Sequence, residues 1–315
     1  MAQKTYLGID LGGTKLLIGE VDEAGHILRR KYYPSGFLNQ QEARALIFRS
    51  MDDYLATTAE AGCMPQAIGA GLLGRVDAEQ GVWEQIDPRR TCHMPLSEEL
   101  SARYGLPAFI DNDVKSATRA ELRWGVGRFS RDFVYINVGT GIAAGIVIGG
   151  RLLRGSHCNA GEVGHTTIDL RVGTQCACGR HDCVETIAAG MGFDLCARLL
   201  QPQYPTSLAI PAEGRVAVQD VFRLCREGDP LCVRLVANAA EALSGLVMNL
   251  VRMSDPDTIV LGGSVVADGY LLSQMQPLLQ DETIRFVTHG VQLTAMDARD
   301  AGLLGAACVA MDGNA

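Results

Sequence analysis

The stretch Tyr6-Leu-Gly-Ile-Asp10-Leu-Gly-Gly-Thr-Lys15-Leu-Leu-Ile-Gly-Glu-Val21 reads as an apolar strand, a tight Gly/Thr turn and a second strand. The same design returns about 127 residues later as Phe133-Val-Tyr-Ile-Asn-Val-Gly139-Thr-Gly141-Ile-Ala-Ala-Gly-Ile-Val-Ile148. In each copy another turn and strand follow: Asp22 to Gly25 before His26–Tyr32, and Gly149-Gly150 before Arg151–Leu153. Hairpins with glycine turns are common, but both turns also carry a threonine, which favours an internal duplication and two related lobes over one long sheet. Outward from these strands, apolar positions Ala45, Ile47, Met51 and Leu55 predict a helix from about Gln41 to Ala61, followed by a strand over Ala67–Leu73. The second half turns helical over Val218–Arg226, Leu231–Met253 and Ala301–Met311. Asp255-Pro256-Asp257 halts the long helix, and Thr258–Leu261 runs as a strand into Gly262-Gly263. Strands alternating with helices in both halves predict a two-lobed α/β fold.

Composition narrows the function. At 315 residues, 47% hydrophobic and 20% charged, the chain has room for two domains sharing a cleft. No apolar run approaches the roughly 20 residues of a bilayer span, and the start lacks the basic-then-apolar layout of a signal peptide, so a cytoplasmic protein without a membrane partner is expected. Seven of the ten cysteines, at 63, 92, 158, 196, 225, 232 and 308, are scattered in mostly apolar surroundings and read as reduced, buried hydrophobes. A net charge of -8 with no basic patch argues against nucleic acid and for small molecules.

Three glycine turns carry the phosphate chemistry. Asp10 ends a buried strand just before Gly12-Gly13-Thr14-Lys15, a turn whose amides can cradle phosphate oxygens while the carboxylate holds a hydrated magnesium ion. Gly139-Thr140-Gly141 is a second such turn, and Gly262-Gly263 a third close-approach pair. Together they predict a nucleotide site shared between lobes, with neither a Walker lysine motif nor G-x-G-x-x-G present. At Asp111-Asn112-Asp113, where a strand gives way to a helix, one carboxylate serves as an N-cap and the remaining polar groups are spare. Phosphoryl transfer to an alcohol needs a carboxylate to accept the hydroxyl proton and a neighbour to position the acceptor, roles that fit Asp113 as base and Asn112 as positioner. Finally, His165, Cys176, Cys178 and Cys183 fall within 19 residues in a C-x-C-x4-C array with an upstream histidine, the ligand set of a structural zinc ion. Glu162 and Glu185 bracket that cluster and are not needed by a closed zinc site.

These residues resemble the ROK family of sugar kinases and related repressors, within the actin and hexokinase ATPase superfamily. The likeness runs through Asp10-x-Gly-Gly-Thr-Lys15, Asn112-Asp113 with Glu121, Gly139-Thr-Gly141, Gly161-Glu-x-Gly-His165, Cys176-x-Cys-Gly179 with Cys183-x-Glu185, Gly228-Asp229, Gly262-Gly263 and Asp300-Ala-Gly-Leu-Leu-Gly-Ala-Ala307. It implies a two-lobed actin-like ATPase (ribonuclease H-like) fold with a structural zinc loop. Residues 1–114 and 300–315 would form the smaller lobe and 115–299 the larger. It further implies ATP and Mg2+ between the lobes and Zn2+ on His165, Cys176, Cys178 and Cys183. Asp113 would be the base, Asn112, Glu162, His165 and Glu185 would hold the sugar, and the chain would pair as a homodimer. The implied reaction is ATP-dependent phosphorylation of a hexose or derivative, of the glucose, fructose or N-acetylhexosamine class, at its primary 6-hydroxyl.

The chain departs from the family at four places. Asp182 stands where glycine usually precedes the last zinc cysteine; Leu73-Gly74-Arg75 replaces a Pro-Gly; Ile86-Asp-Pro-Arg-Arg90 replaces a Ser-Pro-Asn loop; and Ala143-Ala144 stand where glycines are usual. The alternative reading is a catalytically impaired, ROK-type sugar-binding or regulatory protein. Only nine residues precede Asp10, so the winged helix-turn-helix of the repressors is not expected.

Overall fold

The computed structural model describes residues 3–13, 15–36, 38–58, 63–86 and 90–313, and the chain divides into two compact units. The first comprises residues 1–128, 154–160 and 299–315, the second residues 129–153 and 161–298.

In the first unit the elements are β1 (Gln3–Leu11), β2 (Lys15–Val21), β3 (Ile27–Pro34), α1 (Gln40–Thr57), β4 (Cys63–Leu72), the small hairpin β5 (Arg75–Asp77) and β6 (Val82–Gln85), α2 (Leu96–Tyr104), β7 (Ala108–Asn112), α3 (Asp113–Trp124) and the C-terminal helix Ala301–Asp312. The sheet runs β3-β2-β1-β4-β7, antiparallel through the opening meander and parallel from β1 through β7. Parallel strands are covered on both faces, which is why β1 reads as a near-continuous apolar run. Ala43, Ile47, Met51 and Tyr54 of α1 share one core with Ile9, Ile18, Ile68 and Leu72, whereas Leu303 and Ala307 of the C-terminal helix pack with Leu17 and Val21. That helix lies so close that a methyl on Gly69 would sit 2.0 Å from the Ala306 carbonyl oxygen. A capping box of Asn39 and Glu42 starts α1; its expected end at Ala61 lies outside the described residues. Helix α3 docks on the same C-terminal helix, where a methyl on Gly305 would meet the Ser116 backbone at 2.4 Å. The unit therefore continues to residue 128, past the boundary expected at 114.

The second unit contains β8 (Phe133–Val138), β9 (Ile142–Ile148), β10 (Arg151–Leu152), α4 (Glu185–Ala188), α5 (Gly190–Leu200), α6 (Val218–Arg226), α7 (Pro230–Ser254), β11 (Thr258–Gly262), α8 (Tyr270–Met275), α9 (Asp281–Ile284) and β12 (Val291–Leu293). Its sheet order is β10-β9-β8-β11-β12. Counting only the strands of each five-stranded sheet, both read 3-2-1-4-5 with the same strand directions, so the repeat seen in the sequence is a repeat of topology. Asp229 caps α7 with a bond from the Cys232 amide, and Asp255 ends it at φ 45° ahead of Pro256. By length and composition α7 is apolar enough to cross a membrane, yet Leu235, Ala239, Leu243, Leu246 and Leu250 are buried in this unit's core.

Candidate active site and metal loop

In the first unit, strand register sets Asp10 of β1 beside Gly71 of β4 and Gly71 beside Asp111 of β7. Asp10 and Asp111 thus stand two strand spacings apart, about 10 Å, at the carboxyl edge of parallel strands, where open α/β sheets bind ligands. The turn after β1 closes through the Gly12 amide and the Lys15 carbonyl at 2.9 Å, and among the described residues no heavy atom beyond the chain neighbours comes within 4 Å of a methyl built on Gly13. Thr14 lies outside the described residues. Lys15 Nζ is 3.4 Å from the Arg299 carbonyl oxygen. Asp10 is buried against the first turn of the C-terminal helix, a methyl on Gly302 falling 2.3 Å from its Oδ2. Burial pushes its carboxyl up to about 6, with the nearby Lys15 charge acting against the rise. A buried acid that ionises with difficulty is relieved by a cation, and one carboxylate beside an open amide turn is a donor set that suits Mg2+, which binds through few carboxylates plus substrate phosphates.

At the β7–α3 junction the amide, not a carboxylate, is the N-cap. Asn112 Oδ1 accepts from the Val114 and Lys115 amides at 3.0 and 3.1 Å, while its Nδ2 donates to the Gly74 carbonyl and to Asp113 Oδ1, both at 3.0 Å. Asp113 Oδ1 also accepts from the Val114 amide at 2.9 Å. Asn112, expected to contact the sugar, is therefore committed to capping and to aiming Asp113.

Asp111, expected to leave spare polar capacity, has none. It is 1% exposed, gripped by Arg154 at 3.1 and 2.8 Å and by Arg119 Nε at 3.3 Å, and Arg119 continues to Asp312 at 2.6 Å. No local pattern announces Arg154, which lies 43 residues away in the segment 154–160. Of the replaced loops, Arg75 is 3.4 Å from Glu84, which also takes His93 Nδ1 at 2.6 Å, and Arg90 is exposed. Asp87, Pro88 and Arg89 lie outside the described residues.

In the second unit, His165, Cys176, Cys178 and Cys183 converge, with all four donor atoms within 4.8 Å of one another. Cys178 and Cys183 sulfurs are 3.6 Å apart, and Cys176 Sγ is 3.4 Å from His165 Nδ1. A zinc tetrahedron with bonds of about 2.0–2.3 Å has edges of roughly 3.4–3.8 Å, so the donors fit. Burial, with hydrogen bonds to Cys178 and Cys176, pushes the Cys183 thiol up to about 12 in the absence of an ion, so binding zinc there would release a proton.

The segment leading to His165 is laid tightly on β9. Gly161 takes φ +101° with room for no side chain, a methyl falling 1.9 Å from the Ala144 carbonyl, and Gly164 faces the Ile142 carbonyl at 2.2 Å. Glu162 is exposed at the start of the turn Val163–His165.

Glu185 opens α4, and its Oε2 accepts from the Ile142 amide at 2.8 Å. A methyl on Gly141 would fall 2.6 Å from that oxygen. The carbonyls of Gly139 and Thr140 take the first amides of α5, Gly190 at 2.8 Å and Met191 at 3.2 Å, leaving Thr140 exposed. This clamp from α5 has no sequence motif.

Gly262 and Gly263 adjoin the 139–141 turn through the β8–β11 pairing. Their smallness answers to the protein itself: Tyr135 Oη fills the space of a Gly262 methyl at 2.3 Å and the Val138 carbonyl that of Gly263 at 2.4 Å. Ala143 and Ala144, which stand where the family usually has glycines, pair with Asn137 and Ile136 inside the β8–β9 ladder, past the turn.

Twin five-stranded α/β sheets of one topology, each with a glycine turn after its first strand, define an actin-like ATPase fold. The ROK family matches residues 6–312. An N-acetylmannosamine kinase of Citrobacter koseri is 34% identical over 312 residues, 96% of this chain and 98% of its own. A ROK hexokinase from Thermus thermophilus superposes with a TM-score of 0.74 at 31% identity, over 98% of each chain. A ROK family glucokinase from Streptomyces griseus, in complex with glucose and AMPPNP, does so with 0.75 at 26%, over 98% of this chain and 100% of its own. The chain belongs to the ROK family.

Proposed function

We propose that this chain is an ATP-dependent sugar kinase that phosphorylates a hexose or N-acetylhexosamine at its primary 6-hydroxyl, with Asp113 as general base. The observation that carries the reading is the placement of Asp113, aimed by Asn112 and the Val114 amide, on the strand edge that also bears Asp10. Asp113 takes the hydroxyl proton as the sugar oxygen attacks the γ-phosphorus; the bond to the β-phosphate oxygen breaks and ADP leaves. The Gly13 amide and the exposed Thr140 hydroxyl would bind phosphate oxygens, the Gly12 amide being used to close its own turn. Asp10 would hold Mg2+, which neutralises phosphate charge. His165, Cys176, Cys178 and Cys183 would hold Zn2+, which supplies no step of the reaction and fixes His165 and Glu185, with Glu162, as sugar contacts. Family likeness further supports a cytoplasmic homodimer, checked by light scattering at about twice the chain mass of 33.7 kDa.

Phosphorus NMR of product formed from a panel of hexoses and N-acetylhexosamines tests the position of transfer. The expected signal is a phosphomonoester coupled to the two protons on C6; coupling to a ring proton alone rejects the assigned hydroxyl.

Two further outcomes follow from the geometry. Protein purified without added metal should carry close to one zinc per chain by elemental analysis, and a fully folded, zinc-free product contradicts the zinc loop. Gly141→Ala places its methyl against Glu185 Oε2 and so displaces the phosphate turn. Nucleotide affinity should fall by about tenfold or more, since even 1.4 kcal/mol of lost contact is a factor of ten. Calorimetry with AMPPNP reads the change, and unaltered affinity removes this turn from the nucleotide site.

A further inference from the structure

We propose that Asp182 is a positioning residue of the metal loop, its carboxylate clasping the entry of the loop to its exit so that the four ligands stay converged; the inference rests on the zinc reading above. Asp182 immediately precedes Cys183 and has φ +54°, a backbone region that Gly, Asn and Asp enter at least cost. Conformation alone would be satisfied by glycine, yet the side chain does more. Its Oδ1 accepts from the amides of Gly173 and Thr174, both at 2.8 Å, while its own amide donates to the Thr174 carbonyl at 3.0 Å.

Thr174, 1% exposed, extends the clasp inward. Its hydroxyl is 3.1 Å from the same carboxylate oxygen and 2.7 Å from Thr186 Oγ1, and Thr186 in turn donates to the Cys183 carbonyl at 2.8 Å. With one proton per hydroxyl, a head-to-tail run from Thr174 through Thr186 to Cys183 satisfies every donor and leaves Asp182 its two amides. Bonds from amides to a carboxylate are the strong kind, and here they join residues 173–174, ahead of Cys176, to residues 182–183, which bear the last ligand. The link reaches one residue past Glu185, so the clasp orders the metal ligands and the start of α4 together.

The test compares zinc transfer to a chromophoric chelator from the wild type, Asp182→Gly and Asp182→Asn. Asp182→Gly keeps the backbone free to turn left-handed but removes the acceptor, and its release should be about 10-fold to 100-fold faster, the usual cost of losing a partner outside the ligand set. Asp182→Asn keeps both the turn and an Oδ1 acceptor and should restore release to within about threefold of wild type. In Asp182→Gly the KM for sugar should rise while kcat at saturating zinc holds, a split that general destabilisation does not produce. Equal release from Asp182→Gly and wild type, or an Asn variant no better than Gly, overturns the clasp. Should Asp182→Gly be too unstable to purify, Thr174→Val carries the test, with release about threefold faster expected from loss of one hydrogen bond and unchanged release against the proposal. A wild-type protein that binds no zinc refutes the metal reading and the clasp together, whereas zinc held equally by all variants refutes the clasp alone.

Discussion

Asp113→Asn should lower kcat by about 10²–10⁴-fold, the usual contribution of a positioned general base, while sugar affinity stays within about threefold. The substitution is mild where structure is concerned. An asparagine oxygen can still accept the Val114 amide that Asp113 Oδ1 now takes at 2.9 Å, and the α3 cap belongs to Asn112. The lost charge in the first helical turn costs about 0.3–1 kcal/mol, too little to unfold the unit. Only the proton acceptor disappears. Steady-state kinetics beside sugar calorimetry separate the two effects, and a variant that keeps its kcat removes Asp113 from the role of base.

Asp10→Asn should move stability and activity in opposite directions. Folding raises this carboxyl from an ordinary 3.8 to about 6, so the native state holds its proton more tightly than the unfolded chain. For an acid with a raised folded value, stability is greatest when both states are protonated and is lost as pH climbs from about 4 to about 6. Above that window the penalty is on the order of 3 kcal/mol, at 1.36 kcal/mol per unit. A neutral asparagine abolishes it, so the ligand-free variant should melt several degrees higher than wild type at pH 8 and show a shrinking advantage toward pH 4.5. Sugar-dependent ADP release should fall by 10²-fold or more, because the residue proposed to hold Mg2+ is gone. Scanning calorimetry at the two pH values decides the matter; a variant less stable than wild type at pH 8 shows that the Asp10 charge is already compensated within the fold.

Much of this molecule is legible in its sequence because the informative signals are local. A Gly/Thr turn between two apolar strands, met twice, gives the duplication, and both sheets then share one order. Four ligands within 19 residues give the metal loop, which the converged donors fit. What stays hidden depends on partners distant along the chain. Asp111 reads as spare until Arg154 and Arg119 are seen to grip it, and Asn112 reads as a sugar contact until its cap and its bonds to Gly74 and Asp113 appear. Gly262 and Gly263 read as space kept for phosphate, yet Tyr135 and Val138 already claim that space. The division at residue 128 turns on α3 packing against a helix almost 200 residues later, a contact with no periodicity to betray it. Asp182 is intermediate: its tolerance of a left-handed backbone is a residue-type property, whereas the clasp to Gly173 and Thr174 is tertiary.

Coupled ADP release from wild-type protein, with ATP and Mg2+ over a panel of hexoses and N-acetylhexosamines, tests the central claim most directly. At least one sugar is predicted to raise ADP production well above the sugar-free rate. Sugar binding seen by calorimetry with no sugar-dependent ADP from any member of the panel would contradict a kinase and leave a sugar-binding protein.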